Sequence, residues 1–437
     1  MKIKEILKIS QGKLLNPSKD FLSQEISSFI IDSRKAKTNS FFIPLKGNNV
    51  DGHNFISDAL KKGATGFFSQ KKVQEKNGIL VNDTYEALVK IAKYKRQKFS
   101  TVIGITGTSG KTTTKEILKL LLSQFSSVSA TEGNYNNEIG LPLTLANAPD
   151  SKISILEMGA GKVGDIKYLS EIAEHDIGVL VSVGHGHTEK FGSFENVIQG
   201  KGEIFINPKY NVLPDNLLSF YKDILKDKRF LTFGLNGDIK ISNIKLVKGG
   251  TEGIISFKNK QLKLIIPLYN KAIFFNIAAA VGVIDFLGED PFKHIKVLEN
   301  FSPPQGRGNI IKKKNIVFID DTYNANPLSV ENALKTLSEL EGLKIAVLGD
   351  MLELGKYSKQ LHEKIGEIIE KEKIDYAFFL GKNMKYAFQK TKKGFYFEEK
   401  DKLIKKLESF IKDKNAIVLV KGSRGMKMEE IIEYFNN

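Results

Sequence analysis

The sequence contains no cysteine and no tryptophan. Without cysteine the chain has no disulfides and no thiolate metal sites. It also lacks the run of roughly 18 apolar residues that a membrane-spanning helix needs. The longest candidate, residues 272–284, is short and includes Asn276, so it predicts a buried helix. The first ten residues mix lysines with apolar residues and show no signal-peptide cleavage site, so we expect a cytoplasmic protein.

Arginine is scarce, because only five of the 66 basic residues are arginine: Arg34, Arg96, Arg229, Arg307 and Arg424. In a chain so rich in lysine, each arginine marks a place where a planar, forked cation is of use. The formal net charge of +16 comes from lysines spread along the whole chain, and no aromatic-plus-basic pattern accompanies them. This distribution favours a solvated surface over a nucleic-acid groove and is compatible with a small anionic substrate.

The chain of 437 residues is too long for one ordinary core and predicts several domains. Short apolar runs alternate with amphipathic helical segments along its length, which predicts an α/β fold with parallel sheets. A helical segment before residue 99 and the turn-rich "FSPPQGRG" near residue 302 mark two boundaries. We therefore predict three α/β domains, at residues 1–98, 99–302 and 303–437, with the third resembling a Rossmann fold.

The stretch "TVIGITGTSGKTTTKE" at residues 101–116 has the features of a phosphate-binding loop. A strand leads into glycines that let backbone N–H groups approach phosphate oxygens, and a helix follows. Lys111 is suited to reach the β and γ oxygens, and Thr112 to bind Mg²⁺. The strict pattern would place a glycine at Ile105, so motor ATPases and GTPases are disfavoured. The expected ATP-binding residues of this loop are Gly107, Thr108, Ser109, Gly110, Lys111, Thr112 and Thr113.

Further motifs follow this loop in a fixed order. The central region contains "GNYNNEIGLPLTL", "LEMGAGKVGDI", "HTEKFGS" and "GKGEIF", and the last region contains "DDTYNANPLS", "VLGDMLELG" and "VKGSRGMKME". Together with the loop, these segments resemble the Mur ligases, ATP-dependent amide-forming enzymes that build the peptidoglycan precursor. The last three segments are similar to the members that add D-alanyl-D-alanine to UDP-N-acetylmuramoyl-tripeptide. The resemblance implies ATP, two Mg²⁺ ions and these two substrates, and we expect a monomer without nucleic-acid partners.

The resemblance also assigns catalytic and metal-binding residues. It places Lys111 and Asn137 near the γ-phosphate and makes Thr112 and Glu157 Mg²⁺ ligands. Glu157 also ends an apolar strand, where ligands of open α/β sheets bind, and Mg²⁺ prefers oxygen. His187 matches a second metal ligand, although a lone histidine is more often structural. Lys201 matches a lysine that is carbamylated by CO₂, which would give it oxygens for Mg²⁺; the alternative is one more surface lysine.

The remaining candidate residues are assigned to nucleotide and substrate. Arg307, one of the five arginines, lies at the junction of the second and third predicted domains and would clamp the nucleotide. Asp321 follows an apolar strand, where ligands of open α/β sheets bind, and would accept hydrogen bonds from the ribose. Tyr323 and Asn326 would shape the same edge. The resemblance supplies the residues for the UDP-sugar. The residues assigned to the UDP-sugar part of the substrate are Ser33, Arg34, Lys46, Gly47 and His53. Arg424 would bind the carboxylate of D-alanyl-D-alanine.

One segment departs from the family pattern. Residues 270–276 read "NKAIFFN", where the family usually has a Gly-x-His-Asn-x-x-Asn sequence, so only Asn276 matches. Ala272 and Ile273 replace a polar pair that normally lies near the adenine, so base selectivity or nucleotide affinity is expected to differ. Two alternatives stay open: another amide ligase of the superfamily, such as a folate polyglutamate ligase, and a nucleic-acid-associated P-loop ATPase.

Overall fold

The computed structural model describes residues 1–47, 49–186 and 188–436, and these residues form three sheets. By the density of their contacts, residues 1–104, 125–159 and 165–177 form one compact unit, and residues 105–124, 160–164 and 178–437 form a second. The predicted α/β class with three sheet-containing domains is confirmed. The predicted domain boundaries stay a prediction.

The first sheet is formed within the first unit. Its strands are β1 (Lys13–Leu15), β2 (Ser28–Ile30), β3 (Ser40–Phe42), β4 (Gly66–Ser69) and β5 (Gly78–Leu80), in the order β1-β5-β4-β3-β2. Only β1 is antiparallel to its neighbour among these pairs. The helices of this region are α1 (Ile3–Ser10), α2 (Ile56–Lys61) and α3 (Thr84–Arg96). Phe41 and Phe42 point to opposite faces and join separate apolar clusters, as the alternation of strand side chains requires.

The second sheet has nine strands in the order β14-β13-β12-β11-β10-β9-β6-β8-β7. The strands are β6 (Thr101–Thr106), β7 (Val128–Ala130), β8 (Ile153–Glu157), β9 (Ile177–Leu180), β10 (Tyr210–Pro214), β11 (Arg229–Gly234), β12 (Ile239–Val247), β13 (Gly250–Phe257) and β14 (Lys260–Ile266). The helices of this region are α4 (Lys111–Leu122), α5 (Gly140–Asn147), α6 (Asp165–Ala173), α7 (Thr188–Phe191), α8 (Phe194–Gly202), α9 (Leu218–Leu225) and α10 (Ile273–Phe286).

Two features of this region bear on the predictions. Strands β12, β13 and β14 pair antiparallel, which the expectation of a parallel sheet did not include. Helix α10 is buried nearly all round, as predicted from its apolar sequence. Among the residues that the structure describes, no helix is long and apolar enough to cross a bilayer.

The third sheet lies within the second unit. Its strands are β15 (Asn309–Lys313), β16 (Ile316–Asp321), β17 (Leu343–Gly349), β18 (Tyr376–Leu380), β19 (Gly394–Phe397) and β20 (Ala416–Lys421), in the order β15-β16-β20-β17-β18-β19. Only β15 is antiparallel to its neighbour among these pairs. The helices are α11 (Pro327–Ser338), α12 (Ser358–Lys371), α13 (Met384–Phe388), α14 (Lys400–Ile411) and α15 (Glu429–Asn436).

The third sheet is covered on both faces. Alternate strand residues join two apolar clusters: one includes Leu348, Phe379 and residues of α11 and α12, and the other includes Val347 and residues of α14 and α15. This is the doubly wound arrangement, in which ligands bind at the carboxyl ends of the strands. The carboxyl ends of β16 and β20 carry the segments "DDTYNANP" and "KGSRG".

Candidate active site

The phosphate-binding loop runs from the end of β6 to the first turn of α4. Gly110 is the N-cap of α4 and has φ +85°, a left-handed conformation that glycine adopts without strain. A Cβ atom there would lie 2.7 Å from Oδ1 of Asn276, so the side chain of Asn276 rests against the loop. The N-terminus of this 12-residue helix offers backbone N–H groups and a positive dipole end to an anion.

The loop is held by the segment that follows β9. Ser182 donates through Oγ to the backbone oxygen of Ser109 at 2.9 Å, and the same Oγ accepts from the Ser109 N–H at 3.0 Å. Thr108 donates its N–H to Ser182 O at 2.9 Å, and Thr108 Oγ1 accepts from the Gly184 N–H at 3.0 Å. These four bonds hold the loop against the segment after β9, and Ser182 was not foreseen from the sequence.

The cation and hydroxyl groups of the loop lie at the start of α4. Lys111 folds back and donates from Nζ to Gly107 O at 2.8 Å. Thr112 is buried, and Thr113 is half-buried. Lys111 therefore lies across the loop that it is predicted to serve, with Gly107 O as one of its acceptors.

Asn326 connects this loop to the third sheet, and both belong to the second unit. It is the N-cap of α11, where its Oδ1 accepts from the Ser329 N–H at 3.0 Å. Its amide Nδ2 donates to Ser109 Oγ at 2.9 Å. The structure thus brings together two predicted nucleotide-binding residues that are 217 positions apart in sequence.

Lys201 is buried near the carboxyl end of α8. Its side chain is 2% exposed, so it is not the surface lysine of the alternative interpretation. Its Nζ donates to Ala160 O at 3.5 Å and lies 5.6 Å from the ring centre of Phe191. Two residues later, Glu203 accepts from the Gly164 N–H at 2.7 Å. The predicted ligand His187 lies outside the described residues.

Glu157 belongs to the first unit, at the carboxyl end of β8. Its side chain is buried, its N–H donates to Thr131 Oγ1 at 3.0 Å, and its Oε1 accepts from Asn136 Nδ2 at 2.9 Å. Asn137 is exposed and accepts through Oδ1 from the Gly140 N–H at 2.8 Å, which starts α5. Asn137 was expected from the sequence to lie in the site, whereas Asn136 was not.

A cluster of charged and aromatic side chains lies at the carboxyl ends of β16 and β20. Lys421 is 3% exposed and donates from Nζ to Asp321 Oδ2 at 2.6 Å and to Asn324 O at 3.0 Å. Burial raises the pKa of Asp321, and the ammonium of Lys421 acts in the opposite direction. The guanidinium of Arg307 stacks 3.9 Å from the ring centre of Tyr323. Lys421 was not foreseen.

Arg424 lies in the same cluster and is more exposed. Its Nη1 donates to Glu429 Oε1 at 2.7 Å, and its N–H donates to Asn324 Oδ1 at 3.3 Å. Its guanidinium carbon is 5.8 Å from the ring centre of Tyr323. The predicted residues of the last region are thus gathered at one edge of the third sheet.

The residues predicted to bind the UDP-sugar lie in the first unit. Ser33 is buried and donates to Asp58 Oδ2 at 2.7 Å, and the exposed Arg34 pairs with Asp32 at 2.8 Å. Hydrogen bonds from Arg34 lower the pKa of Asp32 to about 2. His53 is buried against Asp51, with Nδ1 and Oδ1 2.7 Å apart.

Lys46 and Gly47 are exposed and belong to the same loop. The backbones of Lys46 and Asp51 pair as an isolated antiparallel β-bridge, and the Gly47 N–H donates to Val50 O at 2.9 Å. Their lysine and backbone groups therefore lie on a surface turn next to His53.

Metal-binding side chains are dispersed in the part of the chain that the structure describes. No group of three or more histidine and carboxylate side chains there could hold an ion by itself. Glu157 and Thr112 are oxygen donors of the kind that Mg²⁺ prefers, and an ion bound with nucleotide takes most of its ligands from phosphate and water. Each of these two side chains, taken by itself, therefore fits Mg²⁺ by the chemistry of its oxygen.

Comparison with known proteins identifies three matching family models: "Mur ligase family, catalytic domain" over residues 25–99, "Mur ligase middle domain" over 105–284, and "Mur ligase, glutamate ligase domain" over 306–424. The UDP-N-acetylmuramoyl-tripeptide--D-alanyl-D-alanine ligase of Bacillus subtilis is 34% identical across 99% of this chain and 97% of its own length. The Escherichia coli protein of the same name is 30% identical, across 92% of each chain.

Solved structures resemble the chain over similar lengths. MurF from Acinetobacter baumannii superposes with a TM-score of 0.92 at 28% identity, covering 99% of this chain and 98% of its own. The MurF ligase of Thermotoga maritima in complex with ADP has a TM-score of 0.86 at 34% identity, covering 93% and 96%.

Proposed function

The chain belongs to the Mur ligase family, and we propose that it is an ATP-dependent ligase that joins D-alanyl-D-alanine to UDP-N-acetylmuramoyl-tripeptide. The product is the pentapeptide precursor of peptidoglycan. The observation that supports ATP dependence is the phosphate-binding loop at the N-terminus of α4, which is hydrogen-bonded through Ser109 to Asn326. The substrates are taken from the relatives, which align with 92–99% of the chain.

The reaction proceeds in two steps, and in each step one bond forms as another breaks. A carboxylate oxygen of the tripeptide attacks the γ-phosphorus of ATP, so that the bond from this phosphorus to the β–γ bridging oxygen breaks and ADP leaves. The amine of D-alanyl-D-alanine then attacks the acyl carbon, the acyl–oxygen bond to phosphate breaks, and the amine loses one proton. The protein assists the first step mainly by placing donors and cations around the transferring group.

The loop and Lys111 supply these donors. Backbone N–H groups at the start of α4 face the phosphates, and Lys111 exchanges its bond to Gly107 O for a γ-phosphate oxygen. Asn276, the one residue of its segment that matches the family pattern, is also proposed to bind ATP, and its side chain lies against Gly110 of the loop. We infer that Thr113 and Asn137 complete the phosphate contacts, as the resemblance predicts.

The nucleotide edge is formed by the cluster of the third sheet. Arg307 stacked on Tyr323 presents a planar cation, and Asp321 offers a carboxylate oxygen to the ribose hydroxyls. Arg424 sits beside them with its exposed side chain and is proposed to bind the carboxylate of D-alanyl-D-alanine. The UDP-sugar is proposed to contact Ser33, Arg34, Lys46, Gly47 and His53.

Mg²⁺ neutralises charge on the β and γ phosphates when it is bound. Thr112, Glu157, His187 and a carbamate on Lys201 are the proposed ligands for two ions. The burial of Lys201 distinguishes it from the many surface lysines, and a carbamate there would supply the oxygen ligands that Mg²⁺ prefers. A cytoplasmic, monomeric enzyme stays a prediction.

The test is phosphate release from ATP in the presence of UDP-N-acetylmuramoyl-tripeptide, with and without D-alanyl-D-alanine. We expect release that requires both substrates and yields one pentapeptide per phosphate. Release that responds to glutamate and folate would favour another ligase of the superfamily. Release that is stimulated by DNA and indifferent to both substrates would favour a nucleic-acid-associated ATPase.

A further inference from the structure

Asn136 holds the carboxylate of Glu157 in place. Its Nδ2 donates to Glu157 Oε1 at 2.9 Å, and its backbone oxygen accepts from the Gly159 N–H at 2.7 Å. Asn136 therefore contacts the residues on both sides of Met158: Glu157 through its side chain and Gly159 through its backbone. Glu157 is 3% exposed and Asn136 is half-buried, so this contact is largely shielded from water, where a hydrogen bond restricts orientation.

Gly159 is required for this close approach. A Cβ atom there would lie 2.9 Å from Oδ1 of Asn136, which is closer than a side-chain carbon is normally found. The glycine of "EMGAG" thus makes room for the amide that contacts Glu157. Gly159 therefore leaves the space that the side chain of Asn136 occupies.

The loop that carries Asn136 is itself fixed within the first unit. On its N-terminal side, Tyr135 OH accepts from Lys35 Nζ at 3.1 Å. On its C-terminal side, Glu138 O accepts from Tyr85 OH at 2.7 Å. Asn136 therefore has an anchored backbone from which to orient another side chain.

An asparagine suits this task chemically. Its N–H donor binds one carboxylate oxygen without bringing a full positive charge next to the proposed cation. A lysine or arginine in the same place would compete with that cation for the charge. Groups that hydrogen-bond to metal ligands typically change metal affinity or activity by about 10–100-fold when they are removed.

We propose that Asn136 is a positioning residue for Glu157, which sets the orientation of this carboxylate toward the divalent cation that accompanies ATP. The inference rests on the proposed function only for the role of Glu157 as a ligand. It assigns Asn136 no contact with substrate or nucleotide.

The test measures Mn²⁺ binding by electron paramagnetic resonance in the presence of a non-hydrolysable ATP analogue, without UDP-substrate or D-alanyl-D-alanine. We expect Asn136→Ala to weaken Mn²⁺ binding about 10–100-fold and Asn136→Leu, which nearly keeps the volume, to weaken it equally. Affinity for the analogue in EDTA should change less than twofold, taken as roughly the scatter of such measurements. This split distinguishes a lost metal contact from a general loss of structure.

Asn147 provides a matched control. Its side chain accepts from the Phe29 N–H at 2.7 Å and donates to Phe29 O at 2.9 Å, so it fixes backbone in the same unit. Asn147→Ala should lower stability and leave Mn²⁺ binding unchanged. Wild-type Mn²⁺ affinity in a folded Asn136→Ala or Asn136→Leu variant would overturn the proposal. A wild-type protein that binds Mn²⁺ and nucleotide but does not ligate would instead refute the proposed function and leave this inference standing.

Discussion

Replacing Lys421 with methionine should destabilise the second unit because it removes the cation that Asp321 faces. The two charges are 2.6 Å apart and the lysine side chain is 3% exposed. Coulomb's law at an effective dielectric constant of about 20 gives roughly 6 kcal/mol for such a pair, before the cost of removing both charges from water. Measured losses for breaking one partner of a buried pair are about 3–5 kcal/mol.

The expected loss for Lys421→Met lies below that range. The side chain of Asp321 is 27% exposed, so water can hydrate its carboxylate and offset part of the lost interaction with Lys421. The variant also loses the bond from Nζ to Asn324 O. We therefore expect the free energy of unfolding to fall by about 2–3 kcal/mol. Because the chain has no tryptophan, urea unfolding is followed by far-UV circular dichroism.

The pH dependence of Lys421→Met has a defined sign. Burial raises the pKa of Asp321 above its ordinary value, and the variant lacks the ammonium that opposes this rise. Between the unfolded and folded pKa values the folded state binds more protons than the unfolded state, so stability increases as the pH falls. The deficit of the variant against wild type should therefore be smaller at pH 5 than at pH 7.5.

A double-mutant cycle with Asp321→Asn measures the interaction energy between Lys421 and Asp321 separately from their contacts with other residues. Each single change leaves one buried charge without its partner, and the double change leaves none. The double variant should thus be more stable than the sum of the single losses predicts, by about 1–3 kcal/mol. Additive losses, or a Lys421→Met variant within about 0.5 kcal/mol of wild type, would refute the reasoning.

Three further predictions follow from the described contacts. Lys111→Ala should reduce ligation by about 10²–10⁴-fold with an unchanged circular dichroism spectrum, since it removes the cation proposed to bind the transferring phosphoryl group; near-normal turnover would contradict the loop assignment. Burial lowers the pKa of His362, and the neutral ring accepts through Nε2 from the Met351 N–H at 3.0 Å. Neutral His362 therefore stabilises the fold above about pH 6.5, the pKa of an unfolded histidine, and this stabilisation is lost as the pH falls. The thermal midpoint of wild type should drop between pH 7.5 and 5.5 more than that of His362→Gln, and parallel curves would disprove this. Lys201→Ala should lose most activity and regain part of it with added acetate or formate, whereas the exposed Lys245→Ala should be unaffected; full activity of Lys201→Ala would remove the carbamate from the account.

The phosphate loop could be predicted from sequence because its requirements are local. A strand, glycines at a turn and a helix N-terminus follow one another within 16 residues, and the structure has them in that order. Ser109 contacts Asn326, and the assignment of both residues to nucleotide binding stays a prediction. The burial of helix α10 was likewise evident from its nearly unbroken apolar sequence.

Residues whose role depends on distant partners could not be predicted in this way. Lys421 looks like one lysine among many until β20 places it beside Asp321, and Asn136 is notable only because β8 brings Glu157 to it. Ser182 carries no motif of its own. The antiparallel pairing of β12, β13 and β14 was not predicted, because the sequence pattern of a short strand does not show whether its neighbour runs parallel or antiparallel to it.

The central claim is that ATP activates the tripeptide carboxylate as an acyl phosphate. It is tested most directly by labelling both oxygens of that carboxylate with ¹⁸O and analysing the released phosphate by mass spectrometry, with D-alanyl-D-alanine present. One labelled oxygen should bridge to phosphorus and leave with phosphate, while the other stays in the new amide. We expect one ¹⁸O per phosphate in step with pentapeptide formation. Unlabelled phosphate released alongside pentapeptide would contradict the account.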